Sequence, residues 1–347
     1  MKYDLIIDSR PSEVVIALLR DGLLIELHKE KHDNNFSAGD IYLGKVRKTN
    51  PGLNAAFVNV GYEKDGFLHY LDLGPQFNSY KKFTKQSLNN KLNTASLKNF
   101  KKEATINKDG TINDAIKTGD LILTQISKEP ISTKGPRLTT EISIAGRYMI
   151  LIPFSDKVSI SQKIEEPKEQ KRLKQLIRSI KPHGFGVIIR TVALGKKVAD
   201  LDQDLKNLYK KWQKISKKLK DAKPQNRIHG ELNKASVIVR DLLNEEFNSI
   251  YVNNVELKIE LQEYLARIAP KKEKIVKLHK KDTQIFQQFN VTKQIKGAFG
   301  KHVTMKKGTY LVIEHTEALH VIDVNSGKKV DAKKDHVAKE LLVFLLL

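Results

Sequence analysis

The residues best placed to do chemistry lie near the C-terminal end, in Leu311 to Ser326, LVIEHTEALHVIDVNS. The apolar run Leu311-Val312-Ile313 predicts a buried strand, and Leu319 to Val324 a second one with Asp323 and Asn325 at its exit. Side chains two apart on a strand point to the same side. A carboxylate and a carboxamide therefore present oxygen to one point, the ligand chemistry of a hard cation such as Mg²⁺. The plainer reading, a polar turn closing a strand over Asp323 to Gly327, uses the same letters.

Further stretches offer chemistry suited to a polyanion. The apolar strand Val187–Ile189, introduced by Gly184-Phe185-Gly186, ends at Arg190-Thr191. A guanidinium beside a hydroxyl at a strand exit can clamp a phosphate, although a surface arginine with a hydroxyl neighbour reads the same way. Phe57 and Phe67 sit in short strands and could offer stacking faces to unpaired bases, or fill a core. Lys45, Arg47, Lys48 and Tyr70 are expected to surround them with a cationic, aromatic surface. The turn Ser132 to Pro136 carries Lys134, which suits phosphate contact and plain solvation alike.

These residues must be held by identifiable elements. Lys2 to Asp8 and Glu13 to Arg20 read as strands, and Asp21-Gly22 signals a tight hairpin into Leu23–Leu27. From Gly39, GDIYLGKVRKTNPGLNAAFVNVGYEKDGFLHYLDL predicts short strands at 41–46, 55–60 and 66–70, punctuated by turns, as in a small barrel of the OB type. Residues 76–117 are rich in Lys and Asn and only weakly periodic, so they read as a mobile basic loop inside the barrel. Strands follow over 121–126, 137–144 and 147–153, then a charged helix over 165–179. A long helix over 199–220 places Leu201, Leu205, Leu208 and Trp212 on one face. Residues 236–247 are amphipathic, 249–252 form a short strand and 255–268 a helix.

Composition narrows the class. The chain has 347 residues, enough for two or three domains, and its apolar share of 40% supports globular folding. Lys and Arg number 62 against 40 acids, giving +22, which points to a polyanionic partner, nucleic acid ahead of anionic lipid. No apolar run is long enough to span a bilayer, and Met1-Lys2-Tyr3-Asp4 lacks a secretory layout, so a cytoplasmic location is expected. There is no cysteine, hence no disulfide and no thiolate metal site.

Four segments resemble the ribonuclease E/G family, from about Lys2 to Lys328 and in the family's order. GDIYLGKVRKTNPGLNAAFVNVGYEKDGFL resembles its RNA-binding OB barrel. RLTTEISIAGRYMILIP followed by GFGVIIRT resembles its 5′-sensor region. SVIVRDLLNEEFNSIYVNN resembles its RNase H-like part, which in the family also takes in the N-terminal strands. IKGAFGKHVTMKKGTYLVIEHTEALHVIDVNSG resembles the start of its DNase I-like catalytic domain.

The resemblance, closest to the shorter ribonuclease G-like members, implies an α+β multidomain chain. In it an RNase H-like subdomain (1–38 and 226–280) carries an inserted OB-fold barrel (39–130, with the basic insertion 76–117) and a 5′-sensor region (131–225). A partial DNase I-like catalytic domain (281–347) follows. It implies a Mg²⁺-dependent endoribonuclease that cuts single-stranded RNA, prefers 5′-monophosphate ends and serves rRNA processing and mRNA decay. Asp323 then resembles the metal-binding catalytic aspartate and Asn325 the asparagine that steadies the scissile phosphate. Arg190 and Thr191 resemble the pair gripping a 5′-monophosphate, with Gly146 and Ile150 lining that pocket. Phe57, Phe67 and Lys134 resemble the residues that hold single-stranded RNA near the cut.

After Lys328 the chain runs DAKKDHVAKELLVFLLL, without the family's second metal-binding aspartate. Asp331 and Asp335 do not read as replacements. The expectation is a chain truncated after the first catalytic aspartate. Without cysteine it cannot form the zinc link that joins subunits into the family's homodimers and homotetramers. The alternative is a non-catalytic protein that binds single-stranded RNA.

Overall fold

The computed structural model describes residues 2–31, 35–92, 94–243, 246–280, 283–298, 300–304, 309–317 and 319–325. The fold is mixed α+β, and the chain divides into two compact units: Asp33–Asn244, and Met1–His32 together with Glu245–Leu347. The expectations for Ser326, Gly327, Asp331, Asp335 and the apolar tail lie outside the described residues.

The Asp33–Asn244 unit is built on a closed barrel. Strand Ile41–Asn50 pairs antiparallel with Ala55–Asn59, which pairs with Gly66–His69. Gly66–His69 runs parallel to Arg137–Thr139, and that strand pairs with Leu121–Lys128, which returns to Ile41–Asn50. Five strands thus close on themselves, compatible with an OB fold. Closure leaves no free edge, and the inward residues of each strand, among them Val46, Ala56, Val58, Leu68, Ile122 and Leu138, fill the interior.

The segment 76–117 is not the loop its composition suggests. Phe77–Leu88 is a helix that buries Phe77, Tyr80 and Phe83, with Thr84 and Ser87 on the same side, and Ile112–Ala115 adds one more turn. Aromatic residues at i, i+3 and i+6 make the apolar stripe, and the intervening Lys and Asn hid it. Each such burial is worth about 1.5–3 kcal/mol, enough to order the segment. Tyr70 is likewise core rather than RNA-facing surface: it is 4% exposed, and its hydroxyl donates to Asn107 O at 2.6 Å.

A four-stranded sheet follows, in the order Val158–Ile160, Phe185–Ile189, Met149–Pro153, Ile144–Ala145. The single strand expected over 137–144 is two: Arg137–Thr139 belongs to the barrel and Ile144–Ala145 to this sheet. Helices Pro167–Ile180 and Val198–Lys220 pack with it. Leu201, Leu205, Leu208 and Trp212 form the buried face of the long helix, as their spacing predicts. Trp212 is fully buried among Phe83, Phe154 and Phe185, and its Nε1 donates to Ala95 O at 2.9 Å.

In the other unit, Tyr3–Ser9 lies between Glu13–Arg20, antiparallel, and Phe247–Val252, parallel; Leu23–Lys31 and Val276–Leu278 form the edges. Asp21 and Gly22, at φ of 49° and 81°, supply the paired positive dihedrals that a two-residue hairpin of this twist needs. Helix Val255–Ile268 matches its sequence signal, whereas Phe247 opens a strand and the amphipathic helix before it spans Lys234–Leu242. A separate antiparallel meander joins His302–Thr304, Tyr310–His315 and His320–Asn325.

Candidate functional site

Strand Phe185–Ile189 delivers Arg190 to the rim of a cavity of about 520 Å³. Arg190, Thr191, Ser161, Lys163, Asp241 and Ile188 line it. The backbone N–H of Arg190 donates to Tyr148 O at 2.9 Å, which ties the strand exit to the start of Met149–Pro153. Its Nη1 donates to Gly146 O at 3.0 Å and to Asp241 Oδ1 at 2.7 Å. Thr191 Oγ1 and Ser161 Oγ share a hydrogen bond of 2.9 Å. The Lys163 ammonium meets no acceptor among the described residues. Two cations and two hydroxyls around one concavity are the donor set of an anion site.

Gly146 is joined to Arg190 through its carbonyl. Ile150 stands opposite Ile188 in the neighbouring strand but is not among the lining residues. The turn carrying Gly146 is shaped by Asp204 of the long helix. That carboxylate accepts the N–H groups of Arg147, Tyr148 and Met149 at 3.2, 2.9 and 3.3 Å. Burial pushes the Asp204 pKa up, and the three donors act against that. A Cβ at position 146 would lie 2.7 Å from Asp204 Oδ2, so only glycine fits while the carboxylate holds the turn. Lys211 of the same helix donates to Ala145 O at 3.2 Å.

On the other side Asp241 also accepts Arg240 Nε at 2.8 Å. Burial would raise its pKa, but the bonds from Arg190 and Arg240 outweigh it and hold the carboxyl below the usual range. Arg240, 7% exposed, donates through Nη1 to Glu231 Oε1 at 3.0 Å. The N–H of Glu231 donates to Oδ1 of the fully buried Asp40 at 2.9 Å, and Arg227 Nη2 donates to the same oxygen at 2.8 Å.

Asp204 carried a signal in the sequence, an acid one position from Leu205 on the buried face of its helix. Asp241, Arg240, Ser161 and Lys163 carried none, because their partners are far away along the chain.

The barrel carries a second candidate surface. Phe57 and Phe67 are a direct cross-strand pair, ring centroids 5.9 Å apart at 72°. Both are half-buried while Ala56, Val58 and Leu68 beside them are buried, so the two rings stand on the outside of the barrel wall. Lys48 Nζ lies 5.0 Å from the Phe57 ring centre, and Lys45 and Arg47 are exposed on the same strand. Lys134 is exposed at a turn closed by its N–H to Ile131 O at 3.0 Å. The chain then reaches Pro136, whose carbonyl accepts Phe67 N–H at 2.8 Å.

In the meander, Asp323 and Asn325 do share a face: Asn325 Nδ2 donates to Asp323 Oδ2 at 2.9 Å. Asp323 is exposed and stands opposite Val312. Glu314, on the same face of the neighbouring strand, is engaged by Lys301 at 2.6 Å. Among the described residues no three metal-ligating side chains come together. Asp323 alone suits a Mg²⁺ ion that takes its remaining ligands from waters and phosphate.

A sequence model of the Ribonuclease E/G family matches residues 143–342, which include both the cavity and the meander. The chain belongs to that family. The match continues past Lys328, so the expectation that the resemblance stops there is corrected. The chain is 31% identical to ribonuclease G of Escherichia coli K12, over 94% of its own length and 63% of that protein's. It is 32% identical to ribonuclease G of Haemophilus influenzae, over 93% of itself and 62% of the relative. Against ribonuclease E of a Nostoc species it is 33% identical over 83% of itself and 39% of the relative. The chain therefore spans somewhat under two thirds of the ribonuclease G proteins it matches. No helix among the described residues is long and apolar enough to cross a membrane.

Proposed function

We propose that the chain acts as an endoribonuclease on single-stranded RNA and grips a 5′-monophosphate end in the Arg190 cavity. The observation that carries this reading is the cavity itself: two cations and two hydroxyls facing one space, on a frame fixed before any ligand arrives. A terminal phosphate has the charge and the acceptor oxygens that such a site can satisfy. Gly146 contributes by accepting from Arg190 and Ile150 by backing Ile188. Phe57 and Phe67 offer faces on which unstacked bases can lie, with Lys134 contacting the backbone; duplex RNA keeps its bases stacked and is excluded.

Cleavage is assigned to Asp323 and Asn325. Asp323 would hold a Mg²⁺ ion, which when bound lowers the pKa of its water and neutralises charge developing on the phosphate. Asn325 holds Asp323 by one oxygen, and would steady the scissile group. Hydrolysis would leave a 3′-hydroxyl and a 5′-phosphate. The sheet that unites Tyr3–Lys31 with Phe247–Leu278 supports the RNase H-like part of the reading, and the meander the start of a DNase I-like domain. A cytoplasmic site of action, and rRNA precursors and mRNA as substrates, belong to the same proposal.

A second reading, RNA binding without cutting, draws on the absence of any group of three metal-ligating side chains among the described residues. A cleavage time course on a 5′-monophosphorylated oligonucleotide, with Mg²⁺ and with EDTA, separates the two. Mg²⁺-dependent product favours the nuclease. Stable binding with no product favours the second reading.

A further inference from the structure

We propose that Asp241 is a positioning residue: it holds Arg190 by one edge so that the opposite edge is presented to a 5′-phosphate. The proposal rests on the phosphate reading of the cavity. Arg190 has five N–H donors, and both on Nη1 are used, by Gly146 O at 3.0 Å and Asp241 Oδ1 at 2.7 Å. Its Nε and Nη2 have no partner among the described residues. Those two atoms make one of the planar forks with which a guanidinium binds two oxygens of a phosphate at once. With Nη1 anchored, the ligand is left the Nε–Nη2 fork and no other.

The anchor is itself fixed. Asp241 Oδ1 also takes Arg240 Nε, and the nearly buried Arg240 is tied to Glu231, whose N–H is held by the buried Asp40 at the start of the first barrel strand. Swinging Asp241 away from Arg190 would loosen this chain of charged pairs, so Arg190 is oriented while the cavity awaits its ligand. Two guanidiniums share the one carboxylate, which leaves the cavity side of Arg190 net positive. Preorganisation of this kind raises affinity without adding a contact to the ligand.

The test compares the 347-residue chain with Asp241→Asn and Asp241→Ala. Affinity is measured by fluorescence anisotropy for one single-stranded oligonucleotide bearing either a 5′-monophosphate or a 5′-hydroxyl. Asparagine keeps an acceptor oxygen for Nη1, whereas alanine removes it. Asp241→Ala should lower affinity for the 5′-monophosphate form about tenfold or more and leave the 5′-hydroxyl form unchanged, while Asp241→Asn stays within about threefold of the parent. An unchanged ratio in Asp241→Ala, or tighter phosphate binding in either variant, overturns the proposal, the latter because Asp241 would then be a competitor of the phosphate.

A second measurement needs no RNA. The Arg190 guanidinium signals of ¹⁵N-arginine-labelled chain, identified by their loss in Arg190→Lys, should show slow rotation of the anchored Nη1 in the parent and in Asp241→Asn, and lose it in Asp241→Ala. If they do, but the parent does not prefer the 5′-monophosphate, positioning stands and the phosphate reading falls. If the signals are the same in Asp241→Ala, positioning falls.

Discussion

The Arg190 cavity and the Asp323 meander are both proposed to meet phosphate, yet they are built in opposite ways. Arg190 is tied through Asp241, Arg240 and Glu231 to buried Asp40, and the facing turn is gripped by Asp204 through three backbone N–H groups. Among the described residues Asp323 has one hydrogen-bond partner, Asn325, and it stands exposed on a strand of a small sheet. A site that must recognise a fixed ligand gains from rigid support, because orientation is settled before binding. A site that assembles an ion, waters and a substrate phosphate draws its geometry from those groups, so a single exposed carboxylate can serve it. The difference shows where disruption should be local and where it should spread.

The largest effect is expected at the sparse site. Asp323→Asn should abolish Mg²⁺-dependent cleavage, because the ion is neither held nor able to activate water, and RNA binding should be kept. Cleavage at the parent rate in that variant would remove the assignment of the site.

The supported site should fail at a distance. Trp212 is the buried anchor of the helix that carries Asp204, so Trp212→Ala should cost about 3–5 kcal/mol of stability and blunt the 5′-monophosphate preference as well. Denaturant titration checks the first part. A loss below about 1 kcal/mol would mean that the helix is not the cavity's support.

Acid should weaken the same frame. His229 lies between Arg227 and Gly230-Glu231, and burial first, then the Lys211 charge, lowers its pKa from 6.5 to about 4. The unfolded chain therefore takes up a proton that the folded chain refuses between those values. Stability is fully present above about pH 6.5 and falls as pH drops toward 4, by at most about 3 kcal/mol from this group. Thermal melts at pH 7 and pH 4.5 should differ less in His229→Gln than in the parent; an equal difference would contradict this.

On the barrel wall, Phe57→Ala with Phe67→Ala should weaken single-strand binding by one to two orders of magnitude, since stacking is worth about 1–3 kcal/mol per base. Filter binding that shows no loss in a folded double variant would return the two rings to a structural role.

The sequence carried more of the frame than of the site. Asp21-Gly22 announced the first hairpin, and Leu201, Leu205, Leu208 and Trp212 announced the long helix, because each signal is complete within a few residues. The helix Phe77–Leu88 escaped because Lys and Asn dominate its composition while only three aromatic positions carry its periodicity. Tyr70 was misplaced because an aromatic residue at the end of an expected strand does not declare which way it faces; it opens the short helical turn Tyr70–Leu73 instead. Arg190 and Thr191 stood out as a strand exit with donors. Asp241 did not, since its partner lies 51 residues away and only folding brings the two together.

Arg190 is proposed to read the 5′ end of single-stranded RNA, and that role can be isolated. It is tested most directly by the affinity ratio between 5′-monophosphate and 5′-hydroxyl forms of one oligonucleotide, in the parent chain and in Arg190→Gln. A preference worth about 1.5–3 kcal/mol is expected in the parent, from charge-assisted hydrogen bonds, and should disappear in Arg190→Gln with the 5′-hydroxyl affinity unchanged. Equal affinities in the parent, or an undiminished preference in the variant, would contradict it.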